Sequence, residues 1–444
     1  MTQRTALDVA SNARLGKLHY TLLFWCAFIM LFDGYDLVIY GSVVPQLMQA
    51  WSLQPVVAGW MGSAALFGMM VGAVLVGPLA DRLGRRRVVL CAIGAASLFS
   101  LATALAWDAL SFATLRFLTG VGLGGAIPNI VALMNDLAPT ARRSRMTTIM
   151  LSFYSIGAMA SALVAMLIIP RWGWQATFLI GGLPLLCLPW MARQLPESLH
   201  FLLENDTHAA RRLLEQLDPT VGSAEVLLEA PARTSGAAPL SRLFAEGRAV
   251  STVFLWLGFG LCMLMVYGLN TWLPKIMVAG GFPLGSSLMF LVTLNVGATL
   301  GALGGGWLAD RWGCRATLML FFLMAVVSLC TLGIKPGPLL LNLMLLVAGA
   351  TTIGALAVMH VLAAQQYPSE IRATGVSWCS AIGRFGAVAG PALGGLMLSL
   401  NLPLQLNFLL CALPGLAAIV AIAMIRPLDH VRTAPHVRSA STHS

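Results

Sequence analysis

Twelve apolar runs, each long enough to cross a lipid bilayer, dominate this sequence of 444 residues. A helix needs about 20 mostly apolar residues to span the hydrocarbon, and it satisfies its backbone hydrogen bonds internally, as lipid requires. The predicted spans are 19–45, 56–79, 88–107, 109–134, 147–169, 174–195, 249–273, 284–309, 316–335, 338–364, 374–400 and 402–425. The chain is therefore predicted to be an all-α polytopic membrane protein with twelve transmembrane helices.

The composition agrees with lipid as the main solvent, because charged residues make up only 10% of the chain, against about 25% in a typical soluble domain. The net charge is +10, but the basic residues form short clusters between apolar runs, so no nucleic acid partner is expected. The eight cysteines form no CxxC pair, and neither a disulfide framework nor a metal site is predicted. The first apolar run is too long for a signal-peptide core and is predicted to be retained.

The distribution of Lys and Arg predicts which loops stay in the cytoplasm. Three of the 27 basic residues, Arg171, Lys275 and Lys335, lie in one set of loops, and two lie within spans. The other 22 lie on the side that includes both termini. We therefore predict an N-in/C-in orientation. The stretch 209–214 is predicted to form a short amphipathic helix at the membrane surface.

The two halves of the chain repeat with an offset of 229 residues. A motif of Gly77, Asp81, Arg82, Gly84 and Arg86 recurs as Gly306, Asp310, Arg311, Gly313 and Arg315, and Gly120, Pro139, Arg143 and Gly157 match Gly349, Pro368, Arg372 and Gly386. Six spans in each half make the repeats parallel, as in secondary transporters whose substrate site lies between the halves. The predicted domains are a six-helix bundle (1–195), a cytoplasmic linker (196–248), a second six-helix bundle (249–430) and a disordered tail (431–444).

Several motifs resemble those of one transporter family. The segment GPLADRLGRRR at 77–87 and Leu195-Pro196-Glu197-Ser198 resemble motifs of the major facilitator superfamily. Asp33-Gly34-Tyr35-Asp36 resembles the DGxD motif of its aromatic acid:proton symporters. The segments around Arg116, Gly383-Arg384 and Tyr367–Gly375 also resemble that family, so the resemblance covers nearly the whole chain.

The resemblance implies two pseudo-symmetric six-helix bundles in a bacterial inner membrane. It implies proton symport of a monocyclic aromatic carboxylate such as benzoate or a hydroxybenzoate, by a monomer without a cofactor other than the coupling proton. It also gives the loop motif a gating role, in which Asp81 pairs with helix amides and arginines to hold the cytoplasmic side shut. The gating residues implied are Gly77, Asp81, Arg82, Gly84, Arg86, Asp310 and Arg311.

Asp33 and Asp36 are the only two of the 17 acidic residues that lie well inside a predicted span. An ionised carboxylate at that depth costs several kcal/mol unless it is paired or hydrated. At a spacing of three residues the two acids are expected to share one helix face. Burial and mutual repulsion disfavour two ionised carboxylates, so one of the acids is predicted to carry the coupling proton. The alternative is a structural hydrogen bond at a helix break made by Gly34.

Two arginines within spans, Arg116 and Arg384, are candidates for binding a substrate carboxylate, because a guanidinium holds a carboxylate bidentately. Arg116 has a depth similar to that of Asp36, and a salt bridge between them is predicted. Protonation of the acid would then free Arg116 to capture the substrate. A purely structural role stays open for both arginines. His360 is a candidate proton relay, or a hydrogen-bonding residue of the core.

Aromatic and amide side chains within the spans are candidates for contacting the ring of a substrate. The aromatic candidates are Tyr35, Tyr40, Phe153, Tyr154, Tyr267 and Trp272, since aromatic rings stack on one another. Asn270 and Asn295 could bind a ring hydroxyl, or could hydrogen-bond between helices.

Three other functions remain open at this point. A related symporter for another organic acid or a sugar would share the motifs. Efflux by exchange is disfavoured, because Gly386-x-x-x-Gly390-Pro391 resembles the antiporter motif but lies in span eleven, and span five has no equivalent proline. A membrane receptor or enzyme would need a further domain or a catalytic constellation, and the sequence contains no nucleophile motif in 196–248.

Overall fold

The computed structural model describes residues 4–217, 226–227, 240–245, 247–368 and 371–425. Its helices are α1 (Ala6–Asn12), α2 (Lys17–Ala50), α3 (Pro55–Leu83), α4 (Arg85–Thr103), α5 (Ala109–Leu137), α6 (Thr140–Trp172), α7 (Gln175–Gly181), α8 (Pro184–Gln194), α9 (Leu199–Asn205), α10 (Thr207–Leu217), α11 (Ala249–Ala279), α12 (Leu284–Trp312), α13 (Cys314–Gly333), α14 (Pro338–Gln366), α15 (Arg372–Ser399) and α16 (Leu404–Met424). The only pairing of strands in these ranges joins β1 (Arg4–Thr5) to β2 (Val226–Leu227) in parallel.

All twelve predicted spans are confirmed, and twelve segments of the described residues are long and apolar enough to cross a membrane. The sixth span consists of two helices, α7 and α8, because the chain turns at Gly182 and restarts at Pro184. Proline has no backbone N–H to donate to the preceding turn and is well placed at the first position of a helix. Several helices are longer than the predicted spans. The helix α6, for example, begins at Thr140 and includes the basic residues before position 147.

The internal repeat is visible in the packing as well as in the sequence. Gly120 of α5 lies directly against the carbonyl of Ala65 in α3, and Gly349 of α14 lies directly against the carbonyl of Leu294 in α12. Both members of the second pair are 229 residues further along the chain than those of the first. Gly84 and Gly313 both adopt a positive φ, 94° and 84°, at matching turns where a side chain would be strained. The two halves therefore share helix packing and turn conformation.

We name the two ends of the molecule from the predicted orientation. The outer end contains the turn between α2 and α3, and the inner end contains the turn at Gly84. The two halves meet where α2 packs on α11, α3 on α15, and α6 on α12. At the outer end, the backbone of Gly41 lies against Asn270, and Gly59 lies against Pro391. Ser63 Oγ also donates to the carbonyl of Val388 over 2.6 Å. The halves are thus in close contact at their outer ends.

Three short helices cover the inner end of the first half. The apolar face of α10 buries Ala210, Leu213, Leu214 and Leu217, and α10 packs against α1 and α9. The amphipathic helix predicted at 209–214 is therefore present, and its apolar face is covered by protein. The tail predicted at 431–444 lies outside the described residues.

Candidate functional site

The most buried charged pair joins α2 to α5. Arg116 Nη1 donates to Asp36 Oδ2 over 2.7 Å, and Nη2 donates to the backbone carbonyl of Asp36 over 2.8 Å. The exposed fraction of the Arg116 side chain is only 1%. The guanidinium also lies over the ring of Phe178, 5.6 Å from its centroid. The predicted salt bridge between Asp36 and Arg116 is present, and it lies inside the first half.

Further polar residues lie next to the Asp36 carboxylate. Ser100 Oγ donates to Asp36 Oδ1 over 3.3 Å. A cavity of about 20 Å³ is lined by Asp36 itself and by Ser97, Ser100 and Thr119 among apolar residues. A space of this size with polar partners can hold one water molecule. Both carboxylate oxygens of Asp36 therefore have a polar partner.

Asp33 lies one turn further in along α2 and has different partners. It is only 2% exposed, and its Oδ1 is an oxygen without a hydrogen-bond partner among the described residues. It interacts electrostatically with Asp36 in its own helix and with Arg384 of α15. It is also within electrostatic range of Tyr154 of α6 and Tyr267 of α11. Asp33 therefore lies at the seam between the two halves.

Asp33 and Asp36 are close enough to interact electrostatically, as their spacing of three residues predicts. Residues three apart on a helix differ by about 60° in direction. Asp36 pairs with Arg116 in the first half, whereas Asp33 is within electrostatic range of Arg384 in the second half. The two acids of one motif consequently have separate surroundings, one paired and one at the seam.

Close approach of α2 and α6, within the first half, determines which residues lie near Asp33. Gly34 lies directly against the carbonyl of Tyr154, and Gly157 lies directly against that of Leu31. A Cβ atom at either glycine would overlap the opposite backbone, so α2 and α6 can cross here only because both residues are glycine. This crossing brings the Tyr154 side chain next to Asp33.

Arg384 is half-buried on α15, and its neighbours are polar. One turn toward the inner end, Ser380 Oγ hydrogen-bonds His360 Nε2 over 3.2 Å. His360 Nδ1 donates to the carbonyl of Leu356 over 2.8 Å, and the ring packs edge-on against Phe259. His360 thus has partners on both ring nitrogens and lies between α14 and α15. The arginine that the structure brings to the seam is Arg384.

The other predicted ring contacts have partners within their own half. Tyr35 donates to the carbonyl of Thr177 over 2.8 Å, and Tyr40 donates to that of Ala58 over 2.5 Å. Asn295 Nδ2 donates to Asn270 Oδ1 over 3.2 Å, which is the helix-to-helix hydrogen bond that the sequence left open as an alternative. Trp272 donates to the carbonyl of Pro391 over 2.8 Å. In this conformation their hydrogen bonds stabilise helix packing.

The loop motif at the inner end is partly engaged with the first half. Arg86 donates its backbone N–H to Glu197 Oε1 over 3.0 Å, and Gly84 is buried beside the same glutamate. Arg85 pairs with Asp136 over 2.6 Å. Gly77 lies within α3.

Three charged residues that were predicted to form the gate make no ion pair within the described residues. Asp81, Arg82 and Asp310 are exposed, and none of them forms an ion pair within the described residues. Arg311 lies over the ring of Trp307 at 5.7 Å. The gating interaction predicted for Asp81 is therefore not formed in this conformation, in which the outer ends are closed.

Some residues of these clusters were missed from the sequence. Asp136 and Ser380 stood out in no motif, although Ser380 precedes Arg384 by one helical turn and so lies on the same face. Tyr154 was one of six aromatic candidates, and only the three-dimensional structure distinguishes it from the others. Within the described residues, no group of three His, Cys, Asp or Glu side chains could hold a metal ion.

Two matching halves of membrane-spanning helices are typical of transporters that hold their substrate between the halves, and here a buried acid lies where the halves meet. Fold and site together define the class of secondary membrane transporters. The sequence matches the model of the Major Facilitator Superfamily over residues 26–334 and 285–443, and the chain belongs to that superfamily.

Comparisons with known proteins agree with this assignment, both in sequence and in fold. The chain is 37% identical to the benzoate transport protein of Acinetobacter baylyi, over 94% of this chain and 91% of that protein. It is 36% identical to the gallate transporter of Pseudomonas putida, over 94% and 93% respectively. A solved structure of the xylose transporter XylE from E. coli, partially occluded and inward open, matches the fold with a TM-score of 0.71 at 16% identity, over 93% of this chain and 98% of that one. The family resemblance predicted from the sequence is therefore confirmed.

Proposed function

We propose that this protein imports a monocyclic aromatic carboxylate, of the benzoate or hydroxybenzoate class, together with protons across a bacterial inner membrane. The observation that supports this most strongly is a buried acid, Asp33, with an oxygen that has no hydrogen-bond partner among the described residues, on a helix that packs against the second half and within electrostatic range of Arg384. The bacterial relatives named for benzoate and gallate support the substrate class. The likeness to XylE concerns the fold alone, so it does not favour a sugar.

In this proposal Arg384 binds the substrate carboxylate. Arg384 is half-buried and within electrostatic range of Asp33, and a planar guanidinium can hold a carboxylate through two parallel hydrogen bonds. Arg116 was also predicted to bind substrate. Its donors are engaged with Asp36, and its side chain is 1% exposed. We therefore assign Arg116 a structural role, which was the alternative left open by the sequence.

Asp33 carries the coupling proton. When it is ionised, its carboxylate competes with the substrate for the positive charge of Arg384. When it takes up a proton from the outside, the competition ends and the substrate carboxylate binds. After the halves rock and the inner end opens, the proton leaves to the cytoplasm, and the ionised Asp33 again draws Arg384 away from the substrate. Each cycle moves one substrate anion and the proton of Asp33 in the same direction.

The two ends of the molecule alternate in this cycle. The structure has the outer ends in contact, and Asp81 and Asp310 exposed at the inner end. We assign the inner motif to the other half of the cycle. Asp81 and its neighbours form their gating interactions when the inner end closes. The protein acts as a monomer in this scheme, because each chain contains both halves of the site.

Uptake into proteoliposomes tests the proposal. Purified protein is reconstituted, an inward proton gradient is imposed, and entry of labelled benzoate is measured with and without a protonophore. We expect accumulation that collapses with the protonophore, that unlabelled 4-hydroxybenzoate inhibits and xylose does not, and that falls at least tenfold in Arg384→Gln. Protein-free liposomes measure passive entry of the neutral acid. Accumulation no greater than in those liposomes, for every aromatic acid tested, would refute the proposal.

A further inference from the structure

We propose that His360 and Ser380 form a proton-binding site on the inner side of Arg384, and that a proton bound there strengthens binding of the substrate carboxylate. This inference rests on the proposed function, because it concerns regulation of the same site. It adds a way in which an acidic cytoplasm slows the release of an imported acid.

The hydrogen bonds of His360 define which ring nitrogen can take up a proton. Nδ1 lies 2.8 Å from the backbone carbonyl oxygen of Leu356, and a carbonyl oxygen can only accept, so Nδ1 is the donor. In the neutral ring the other nitrogen, Nε2, therefore has a lone pair. The hydroxyl of Ser380 lies 3.2 Å from Nε2 and can donate to it. Nε2 is thus the atom at which His360 gains a proton.

Ser380 has one hydroxyl proton and two acceptors within reach. Its Oγ lies 3.2 Å from His360 Nε2 and 3.1 Å from the backbone carbonyl oxygen of Val376. While His360 is neutral, the hydroxyl can donate to only one of them at a time. When Nε2 carries a proton, it donates to Ser380 Oγ and the hydroxyl turns to Val376, so both bonds form together. The pair therefore gains one hydrogen bond when His360 is charged.

The pair lies between Arg384 and the inner end. The helix α15 runs toward the outer end, where Pro391 contacts the first half, so Ser380 is one helical turn further in than Arg384. The His360 ring packs edge-on against Phe259 of α11, with 5.1 Å between the ring centroids. Both side chains of the pair are half-buried. Because the halves are in contact at their outer ends, protons reach the pair from the inner end.

The charged residues nearest to the pair are arginines of α15. His360 is the titratable residue of α14, and its ring contacts α11 and α15. On these two helices the charges are Lys275, near the outer end of α11, and Arg372 and Arg384 of α15, two turns inward and one turn outward of Ser380. The helices α12 and α13 also pack against α14. The other titratable residues of these four helices are Cys262 and Tyr267 of α11, Asp310 and Arg311 of α12, Cys314, Arg315 and Cys330 of α13, and Cys379 of α15.

Arg384 couples the pair to the substrate. Like charges repel, so a free guanidinium one turn away disfavours a proton on His360. A carboxylate bound to Arg384 neutralises that charge and thereby favours the proton. Because linkage is reciprocal, a proton on His360 strengthens carboxylate binding by the same factor. An acidic cytoplasm therefore holds the substrate anion on Arg384 and slows its release.

The test measures the dissociation constant of benzoate for purified protein in detergent between about pH 5.5 and pH 8, the range in which histidine changes charge. The parent protein carries Asp33→Asn, which removes the titration of that acid. Benzoate stays ionised throughout, because carboxyl groups titrate at about pH 4. We expect binding to be about tenfold tighter at the acidic end of the range than at the alkaline end.

Adding His360→Gln should abolish this difference, because glutamine keeps hydrogen-bonding groups and does not titrate. His208→Gln, at an exposed position of α10, is the matched control and should retain the difference. In a protein that keeps Asp33, His360→Gln should reduce the effect of pH by the same factor of about ten. A pH effect that persists in full after His360→Gln, or that is absent from the parent, would overturn the inference.

Ser380→Ala tests the hydrogen-bond argument separately. It removes the bond that the charged ring gains, so the midpoint of the change in affinity should move to lower pH by about one unit. This variant keeps the titratable ring and decides the question even if His360→Gln does not fold, which thermal unfolding reports. An unchanged midpoint would contradict the role of Ser380. Failure of the proposed function is distinguished because it appears in the wild type, as absence of benzoate uptake.

Discussion

At the residue scale, one motif supplies two acids with different roles. Asp36 has a guanidinium, a serine hydroxyl and a water-sized cavity around it. Asp33, one turn away, has one oxygen without a hydrogen-bond partner in the described part of the chain. A buried carboxylate that lacks partners is the one that gains most from taking up a proton. This difference, rather than the motif, separates the structural acid from the proposed proton carrier.

The Asp36–Arg116 pair should contribute strongly to stability. Removing one partner leaves the other charge buried and unpaired, so Arg116→Ala or Asp36→Ala is expected to lower the free energy of unfolding by about 3–5 kcal/mol. Thermal unfolding in detergent measures this as a lower Tm. Arg211→Ala is the matched control. It breaks the exposed pair of Arg211 and Glu215, whose atoms are 3.6 Å apart, and such surface pairs contribute about 0.3–0.5 kcal/mol. Equal effects of the buried and exposed changes would contradict this assignment.

The sequence allowed the acids and arginines of the site to be found, because charges within apolar spans are rare. It paired Asp36 with Arg116 correctly from their depths. It did not predict that Asp33 and Arg384 come within electrostatic range of each other, because their separation depends on how the second half is rotated against the first. The proximity of Tyr154 to Tyr267 could not be predicted either, since the two residues belong to opposite halves.

At the element scale, glycine determines how closely the helices pack. In a bilayer, helix association depends on close backbone contact, because lipid is as apolar as the side chains. Gly120 against Ala65 and Gly349 against Leu294 show the same contact in both halves. The spans were predictable from hydropathy alone. The helix ends were not, because a helix continues into water past the last apolar residue, as α6 does at its basic start.

Gly120→Ala tests the importance of close packing. The added methyl group would overlap the Ala65 carbonyl, so α3 and α5 must move apart, and we expect a loss of about 1–3 kcal/mol in stability. Gly304→Ala is the matched control within α12, where a Cβ meets nothing within 4 Å. It should leave Tm unchanged or raise it slightly, because alanine favours the helix by about 0.5–1 kcal/mol. A Gly120→Ala protein as stable as the wild type would show that this contact is not tight.

At the scale of the whole molecule, the fold is symmetric and the site is not. An offset of 229 residues relates the helices, yet it matches Asp33 to Cys262, Arg384 to Ser155 and Arg116 to Leu345. Each half therefore contributes something that the other lacks, an acid from the first and an arginine from the second. A single site at the seam, which both halves must complete, suits a protein that exposes it to one side at a time.

The central claim is that Asp33 couples proton movement to transport through Arg384. Two assays on the same proteoliposomes test it: accumulation of labelled benzoate under an inward proton gradient, and exchange of labelled for unlabelled benzoate without a gradient. Asp33→Asn resembles the protonated acid and leaves Arg384 free, so it should lose accumulation and retain exchange. Asp108→Asn, an exposed helix-capping position outside the spans, should behave like the wild type in both assays. If Asp33→Asn accumulates benzoate as well as the wild type does, Asp33 is not the proton carrier and the coupling mechanism is contradicted.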